Sequence, residues 1–491
     1  MNKNKAAAGL IYFGLLIIIS AILIDILKTG VLKIQAAQIL AIEIGLLLTL
    51  LGLAFRQAAA GRSESDFIYS GMVKALKGIP MTTWVMAGYL ISYFACFIIP
   101  VFFKIPPRMQ YYNKYLPDGF PIGGDLLLVV DLARQWLVNG QAPFHIQFYP
   151  PLTYFFLSPL VLISDTNVLF RVVTIITIFC FVLSSLVIPL LMIRRGDRFL
   201  IYMFFISGLF SYGMQFELER GQVNVLAFLF SISAIYIYHH HHAFRRYAYL
   251  LFSLAVQLKL YPAIFVVMLV KDWRDWKGNL RRAVLLGLFN FALLFVGGIR
   301  AFREFASSVL VQMKNPGWSW TGNHSIKAFL SEFIENKGFG LVNTDTLMAI
   351  QKNSALISFA FLAVFMLAFL SALILAYRRN EGGFDGALFM TCTIGAWIIP
   401  ISNDYTLSIA AAPAAMAFTA ISARDYGRYK IPAAIFLTLA SAAFSFTLYP
   451  FTRKALFIQN SFPALFILLL AITALNQLMT DKKTAQESSV L

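Results

Sequence analysis

Residues 123–160 read GGDLLLVVDLARQWLVNGQAPFHIQFYPPLTYFFLSPL. They set a carboxylate, Asp125, just after an apolar segment and at the start of a short helix that runs to Asn139-Gly140, with a Tyr149-Pro150-Pro151 break beyond. From Leu126 to Val138 the run is apolar apart from Asp131, Arg134 and Gln135, which fall at i, i+3 and i+4 and so share one stripe of a helix. That pattern suits a helix lying in a membrane interface. Asp131 points about 120° of helix rotation away from Asp125, so the two carboxylates do not share a proton, and a salt bridge from Asp131 to Arg134 accounts for both. Asp125 has two readings. It is an N-cap that satisfies the first helical N–H groups, or a base that takes a proton from a substrate; one carboxylate can do both.

The chain around this stretch has the composition of a membrane protein. Hydrophobic residues make up 59% and charged residues only 13% of 491, where soluble domains carry about a quarter charged. The expected fold is all-α and polytopic, with about twelve transmembrane helices plus re-entrant or interfacial ones. The segment 8–27 follows Lys3 and Lys5 and has no small-x-small cleavage site after it, so it reads as a first span rather than a signal peptide. The net charge of +17 sits mostly in short loops between alternate apolar segments, as orientation signals do. It reports topology, and no nucleic acid partner is expected. Cys96, Cys180 and Cys392 lie inside apolar segments without metal-ligand spacing and read as small core residues.

With Lys3 and Lys5 inside, spans 8–27 and 36–55 form a hairpin that returns to a loop carrying Arg56, Arg62, Lys74 and Lys77, cytoplasmic by its charge. A third span, 82–103, delivers residues 104–165 to the outer face, and Asp125 with them. Further spans are expected near 168–192, 199–214, 223–238, 283–299, 354–376, 387–400, 407–420, 432–448 and 462–479. Both termini are then cytoplasmic in a multi-pass protein of the cell membrane. No internal repeat or soluble domain is apparent, so 1–491 reads as one membrane domain, with 1–81 an added hairpin and loop and 82–480 the catalytic core.

Polar residues break this pattern at four further places. Glu217, Glu219, Arg220, Gln222 and Asn224 crowd one turn between uncharged spans, and ionisable groups at membrane depth cost a few kcal/mol each unless paired. Lys259, with Pro262 close behind, interrupts an apolar run about 20 Å of helix beyond Arg246, which suggests a re-entrant pair of half-helices with Lys259 at the tip. Its partner there is Glu217, Glu219 or a ligand phosphate. Asn323, His324 and Ser325 form a polar turn within GWSWTGNHSIKAF, and Asn403, Asp404 and Tyr405 form another. The four histidines 239–242 read as a solvated loop, since adjacent side chains diverge and no Asp, Glu or Cys joins them.

These groups converge on the face of Asp125. One acidic base, several cations and several amide or hydroxyl donors suit transfer of a sugar from a lipid phosphate. Arg220 and Lys259 would stabilise the charge that grows on the leaving phosphate. Asp125 would take the acceptor's proton, and Gln222, Asn224, Asn323 and Tyr405 would hold hydroxyls.

The order FELERGQVNVLAFLF, LAVQLKLYPAIF, GNHSI and PISNDYTLSIAAAP behind the Gly-Asp and Tyr-Pro-Pro motifs resembles glycosyltransferase family 87, the polyprenol-phosphate-mannose-dependent alpha-(1,2)-mannosyltransferases of the GT-C superfamily. The resemblance spans Gly123 to Pro413. It implies the GT-C fold, Asp125 as base, and Gly221-Gln222-Val223-Asn224 and Lys259-Leu260-Tyr261-Pro262 as donor-side elements. It implies no metal, no cofactor and no nucleotide-sugar. Read from the residues, direct attack would invert the anomeric centre. The expected site has Arg220, Lys259 and Tyr261 on the donor phosphate and Glu219, Gln222, Asn224, Asn323, His324, Ser325, Asn403, Asp404 and Tyr405 on sugar or acceptor. The chain departs from many relatives in having Asn323-His324-Ser325 for Asn-Gln-Ser, and Asn403-Asp404-Tyr405 for an aromatic-Asp-His pattern. The partners expected are a polyprenyl-phosphate sugar donor, a lipid or glycan acceptor and the surrounding membrane lipids, acting on a monomer. External Arg108, Lys114 and Lys337 would draw in an anionic acceptor. Two other classes fit some of the features. A flippase of lipid-linked sugars also uses broken helices, although it would show repeat symmetry, and a GT-C protein mannosyltransferase shares the chemistry.

Overall fold

The computed structural model describes residues 8–18, 78–95, 123–140, 149–193, 198–314, 322–340, 342–379, 384–398, 402–448 and 460–487, with isolated positions before 78. Among these the chain is helical, the one extended pairing being an isolated bridge between Asn323 and Asn403. Of the expected N-terminal hairpin, a helix over Ala8–Ile18 is described. Most of its second leg lies outside the described residues, as do Lys74, Lys77, Cys96, Arg108, Lys114, Trp318 and Trp320.

The chain divides into two compact units, one made of Gly119–Ala420 with Leu456–Pro463, the other of Met1–Asp118, Ile421–Ala455 and Ala464–Leu491. In the first unit, α1 (Gly124–Leu137) and the short α2 (Pro151–Phe156) precede α3, a continuous run over Thr166–Met192. Then come α4 (Arg198–Leu209), α5 (Tyr212–Arg220), α6 (Asn224–His240), α7 (Arg245–Leu258) and a 3-10 turn over Tyr261–Met268. After these follow α8 (Trp276–Leu293), α9 (Gly298–Lys314), α10 (Ile326–Glu335), α11 (Thr344–Lys352), α12 (Ser354–Arg379), α13 (Gly386–Ile398), a 3-10 helix over Asp404–Ala410 and α14 (Ala411–Ser422).

Among the described residues three helices are long and apolar enough to cross a membrane: Thr166–Met192, Ser354–Arg379 and Asp404–Ser422. There are up to five if each of two bent pairs is one span. Arg198–Leu209 meets Tyr212–Arg220 at 49°, and Trp276–Leu293 meets Gly298–Val311 at 106°. Shorter apolar helices occupy Asn224–His240, Gly386–Ile398, Lys430–Phe446 and Phe462–Leu478. The segment expected as a span over 283–299 therefore holds a corner, which ends at Gly298 with φ 84°; the run is apolar throughout the bend, and hydropathy carries no record of it. The helix α6 also continues through His239 and His240, and His239 Nε2 lies 2.8 Å from the Met268 carbonyl, so these two histidines are not a solvated loop.

The helix α1 buries Leu126, Val129, Val130 and Ala133, a stripe at i, i+3, i+4 and i+7. That stripe packs on the protein itself. Val129 and Ala133 cluster with Tyr154, Leu157 and Val223, and Leu126 and Val130 with Leu169 and Val173. The anticipated interfacial helix is thus held against α2 and α3, and Asp131 pairs with Arg134 at 3.1 Å. Within the second unit Met81–Tyr93 lies along Lys430–Phe446, where Ser441 and Ser445 donate to the carbonyls of Val85 and Tyr89. Small and hydroxylic residues at such a contact let apolar helices approach closely without a hydrophobic driving force.

Candidate active site

Two glycines turn the chain into the site. Gly123 (φ 76°) precedes α1 in the left-handed region, and its N–H donates to the Glu219 carbonyl at 2.6 Å. Gly221 (φ 64°) ends α5; the next N–H, of Gln222, returns to the Glu217 carbonyl at 3.0 Å, a Schellman-type stop that only glycine makes without strain. A Cβ on Gly221 would also sit 2.7 Å from the Leu126 Cβ. The end of α5 thus lies directly against the first turn of α1, and Gln222 leaves the helix facing Asp125.

Asp125 is not an N-cap. It lies in the first turn of α1, and no side chain caps that end. Its Oδ2 accepts from Gln222 Nε2 at 2.6 Å. Its Oδ1 stands 3.8 Å from an Arg220 guanidinium nitrogen, too far for a hydrogen bond, and accepts none from the described residues.

The other end of the Gln222 amide faces the lysine. Gln222 Oε1 accepts from Lys259 Nζ at 2.9 Å and from the Tyr149 hydroxyl at 2.7 Å. Lys259 also donates to Tyr149 at 3.2 Å. It reaches this place because α7 stops at Leu258, whose carbonyl the Pro262 ring would meet if the helix continued, and Lys259 is extended at φ −150°, ψ 143°. The Lys259 ammonium lies 4.2 Å from the Tyr149 ring centroid and 5.3 Å from that of Tyr405. Tyr405 in turn stacks on Phe216, and Arg220 covers Phe216 at 5.0 Å. The two cations are therefore spaced by aromatic faces, which attract each of them while keeping them apart. Burial, then the neighbouring Tyr405 and Asp125, holds the Tyr149 hydroxyl well above its ordinary pKa, so it stays a donor.

Of the expected carboxylate partners of Lys259, Glu217 favours the ammonium by its charge while its oxygens are hydrogen-bonded to α6. Glu217 accepts from Asn224 Nδ2 at 2.8 Å and from Val225 N at 3.0 Å, so it serves the N-terminus of α6, where negative charge is favoured. Glu219 is buried. Asn224 is fully buried, and its carbonyl accepts from the Tyr261 hydroxyl at 2.9 Å.

His324, Ser325, Asn403 and Asp404 form a second knot beside the first. His324 is fully buried. Its Nδ1 accepts from Ser461 N at 3.0 Å and its Nε2 faces Asp404 Oδ1 at 2.8 Å. A backbone N–H can only donate, so the ring carries its proton on Nε2 and gives it to Asp404. The other Asp404 oxygen accepts from Tyr212 at 3.1 Å. Asn323 accepts from Ser325 N and Ser402 N, and Ser325 caps α10 through Ala328 N. Asn403 donates to the Tyr405 hydroxyl at 2.6 Å. In this arrangement His324 has no ring nitrogen left for a ligand, and the knot fixes Tyr405 against Lys259. Tyr149, Phe216, Tyr212 and Ser461 were not singled out as site residues from the sequence. The one signal was the position of Tyr149 directly before Pro150-Pro151.

No curated protein and no solved structure matches the chain. Residues 148–400, just over half of its length, match the model of glycosyltransferase family 87; the match takes in Tyr149, Arg220, Gln222, Lys259 and His324, while Asp125 precedes it and Asn403 to Tyr405 follow it. With its helices, its apolar spans and this match, the chain belongs to glycosyltransferase family 87 and is a membrane glycosyltransferase.

Proposed function

We propose that the protein transfers a hexose, mannose in the first instance, from a polyprenyl-phosphate sugar to a lipid or glycan acceptor on the outer face of the cell membrane. The observation that carries this reading is the placing of one carboxylate, Asp125, within the same polar cluster as two cations, Arg220 and Lys259. The acceptor O–H gives its proton to Asp125 as its oxygen attacks the anomeric carbon. The bond from that carbon to the phosphate oxygen breaks on the opposite side, and its electron pair stays on the phosphate. Attack and departure on opposite faces invert the anomeric centre. The phosphate goes from one negative charge as a diester to two as a monoester, and Lys259 and Arg220 stabilise the second. Lys259 has three N–H groups and spends two on Gln222 and Tyr149, which leaves one for a phosphate oxygen.

The outward orientation rests on charge. Arg245 and Arg246 begin α7 and Lys259 follows its end, about 20 Å away at 1.5 Å per residue, so the basic loop and the site lie at opposite ends of one helix. The test is purified protein in detergent given radiolabelled polyprenyl-phosphate mannose and a total lipid extract. Label should enter a new lipid or glycan product. Transfer from a different lipid-phosphate sugar only would change the substrate, and donor that crosses a liposome bilayer without being consumed would replace the reading with a flippase.

A further inference from the structure

Gln222 stands between the base and the cation, and its amide is nearly spent. Both lone pairs of Oε1 are filled, by the Lys259 ammonium and the Tyr149 hydroxyl, and one N–H of Nε2 goes to Asp125. The amide cannot turn over. A flip would aim its NH2 at an ammonium, which only donates, and its oxygen at a carboxylate, which only accepts. Gln222 is buried, with 4% of its surface exposed, and its backbone is set by the left-handed Gly221 and the stop of α5. A sugar ligand needs free polar edges, and Gln222 has one N–H left.

We propose that Gln222 is a positioning residue, a neutral bridge that holds the Asp125 carboxylate and the Lys259 ammonium at fixed separation and keeps them from collapsing into a direct ion pair. This rests on the reading of Asp125 as base and Lys259 as phosphate ligand. A lysine bonded directly to Asp125 would neutralise the base and give up its grip on the leaving phosphate together. The amide prevents this, because it offers each charge the partner that it needs while carrying no charge itself. The titratable and charged groups that face this bridge are Asp125 from α1, Arg220 and Glu217 from α5, Lys259 beyond α7, Tyr149 before α2 and Tyr405 from the 3-10 helix.

The test is the pH profile of sugar transfer by Gln222→Glu, with Gln222→Met and Asp125→Asn beside it in the full-length protein. A protonated carboxyl reproduces the amide, with its O–H donating to Asp125 and its C=O accepting from Lys259 and Tyr149; an ionised one repels Asp125 and captures Lys259. The Gln222→Glu activity should therefore rise as pH falls, with its optimum displaced to the acid side of the wild-type optimum. Gln222→Met, close in volume and unable to hydrogen-bond, should lose about 10- to 100-fold in kcat at every pH with the donor and acceptor KM little changed, and it carries the test if Gln222→Glu does not fold. Gln222→Met raising KM at unchanged kcat would make Gln222 a substrate ligand and overturn the proposal. So would a Gln222→Glu profile that parallels wild type. If Asp125→Asn turns over normally, the base reading fails and the bridge falls with it; if Asp125→Asn is inactive and Gln222→Glu still parallels wild type, only the bridge fails.

Discussion

Burial pulls the pKa of the Lys259 ammonium down to about 8 against the opposing charges of Glu217 and Asp125, and two aromatic faces, an amide oxygen and a phenol hydroxyl replace its water. Removing either cation should act on the donor phosphate. Lys259→Ala and Arg220→Ala are each expected to lower kcat/KM for the donor by about 10²- to 10³-fold, measured with saturating acceptor. Tyr149 separates ring from hydroxyl. Tyr149→Phe keeps the face that attracts Lys259 and removes two hydrogen bonds, to Gln222 and from Lys259, a loss of about 2 kcal/mol or ~30-fold in rate, whereas Tyr149→Ala, which also removes the ring, should cost more in the same assay. Glu332 on α10 is buried, and burial, then Glu335 and Asp404, pushes its carboxyl up to about 7. Its folded pKa is thus above its unfolded one, so the native state binds the extra proton and stability falls as pH rises from about 4.5 to about 7. Thermal unfolding in detergent should show Glu332→Gln more stable than wild type at pH 7.5 and less sensitive to pH across that window.

At the scale of elements, the stops of helices matter more to the site than the helices do. Gly221→Ala forces a side chain into the left-handed region and against Leu126. It should lower stability by about 1–3 kcal/mol and reduce activity with it, seen as a drop in the unfolding midpoint. Asp404→Ala would remove the acceptor of the buried His324 Nε2–H, at about 1–3 kcal/mol, together with the bond from the Tyr212 hydroxyl; Asp404→Asn keeps one oxygen and should lose less. What was legible in the sequence follows the same division between local and distant causes. The end of α7 before Lys259 was legible because Pro262 acts within one turn, and the Asp131–Arg134 pair because i, i+3 neighbours meet on any helix. The bond from Gln222 to Asp125 joins positions 97 apart, that from Lys259 to Tyr149 positions 110 apart, and that from His324 to Asp404 positions 80 apart. Their order in the chain gathered Asp125, Arg220, Gln222 and Lys259 on one face. Which atom bonds which was decided by the tertiary contacts of α1, α5 and α7. Glu217 shows the limit, since its oxygens hydrogen-bond to Asn224 and to the Val225 N–H while it acts on Lys259 through charge, a division that the sequence does not record.

For the molecule as a whole, apolar composition announced a helical membrane protein, while the count of spans depends on bends that hydropathy does not see. The corner of 106° between α8 and α9 is the clearest. The placing of the site on the outer face has its own test. Val138, at the end of α1, and Trp276, at the start of α8, are 67% and 61% exposed. In sealed cells of a Cys96→Ser background, a membrane-impermeant thiol reagent should label Val138→Cys and spare Trp276→Cys until the membrane is opened; Cys180 and Cys392 are buried and should stay silent. The central claim, that Asp125 is the base of a sugar transfer from lipid phosphate, is tested most directly by Asp125→Asn in single turnover with radiolabelled polyprenyl-phosphate mannose and acceptor. The account predicts donor binding within a few-fold of wild type and a rate of transfer lower by about 10²- to 10⁴-fold. Transfer at the wild-type rate would contradict it.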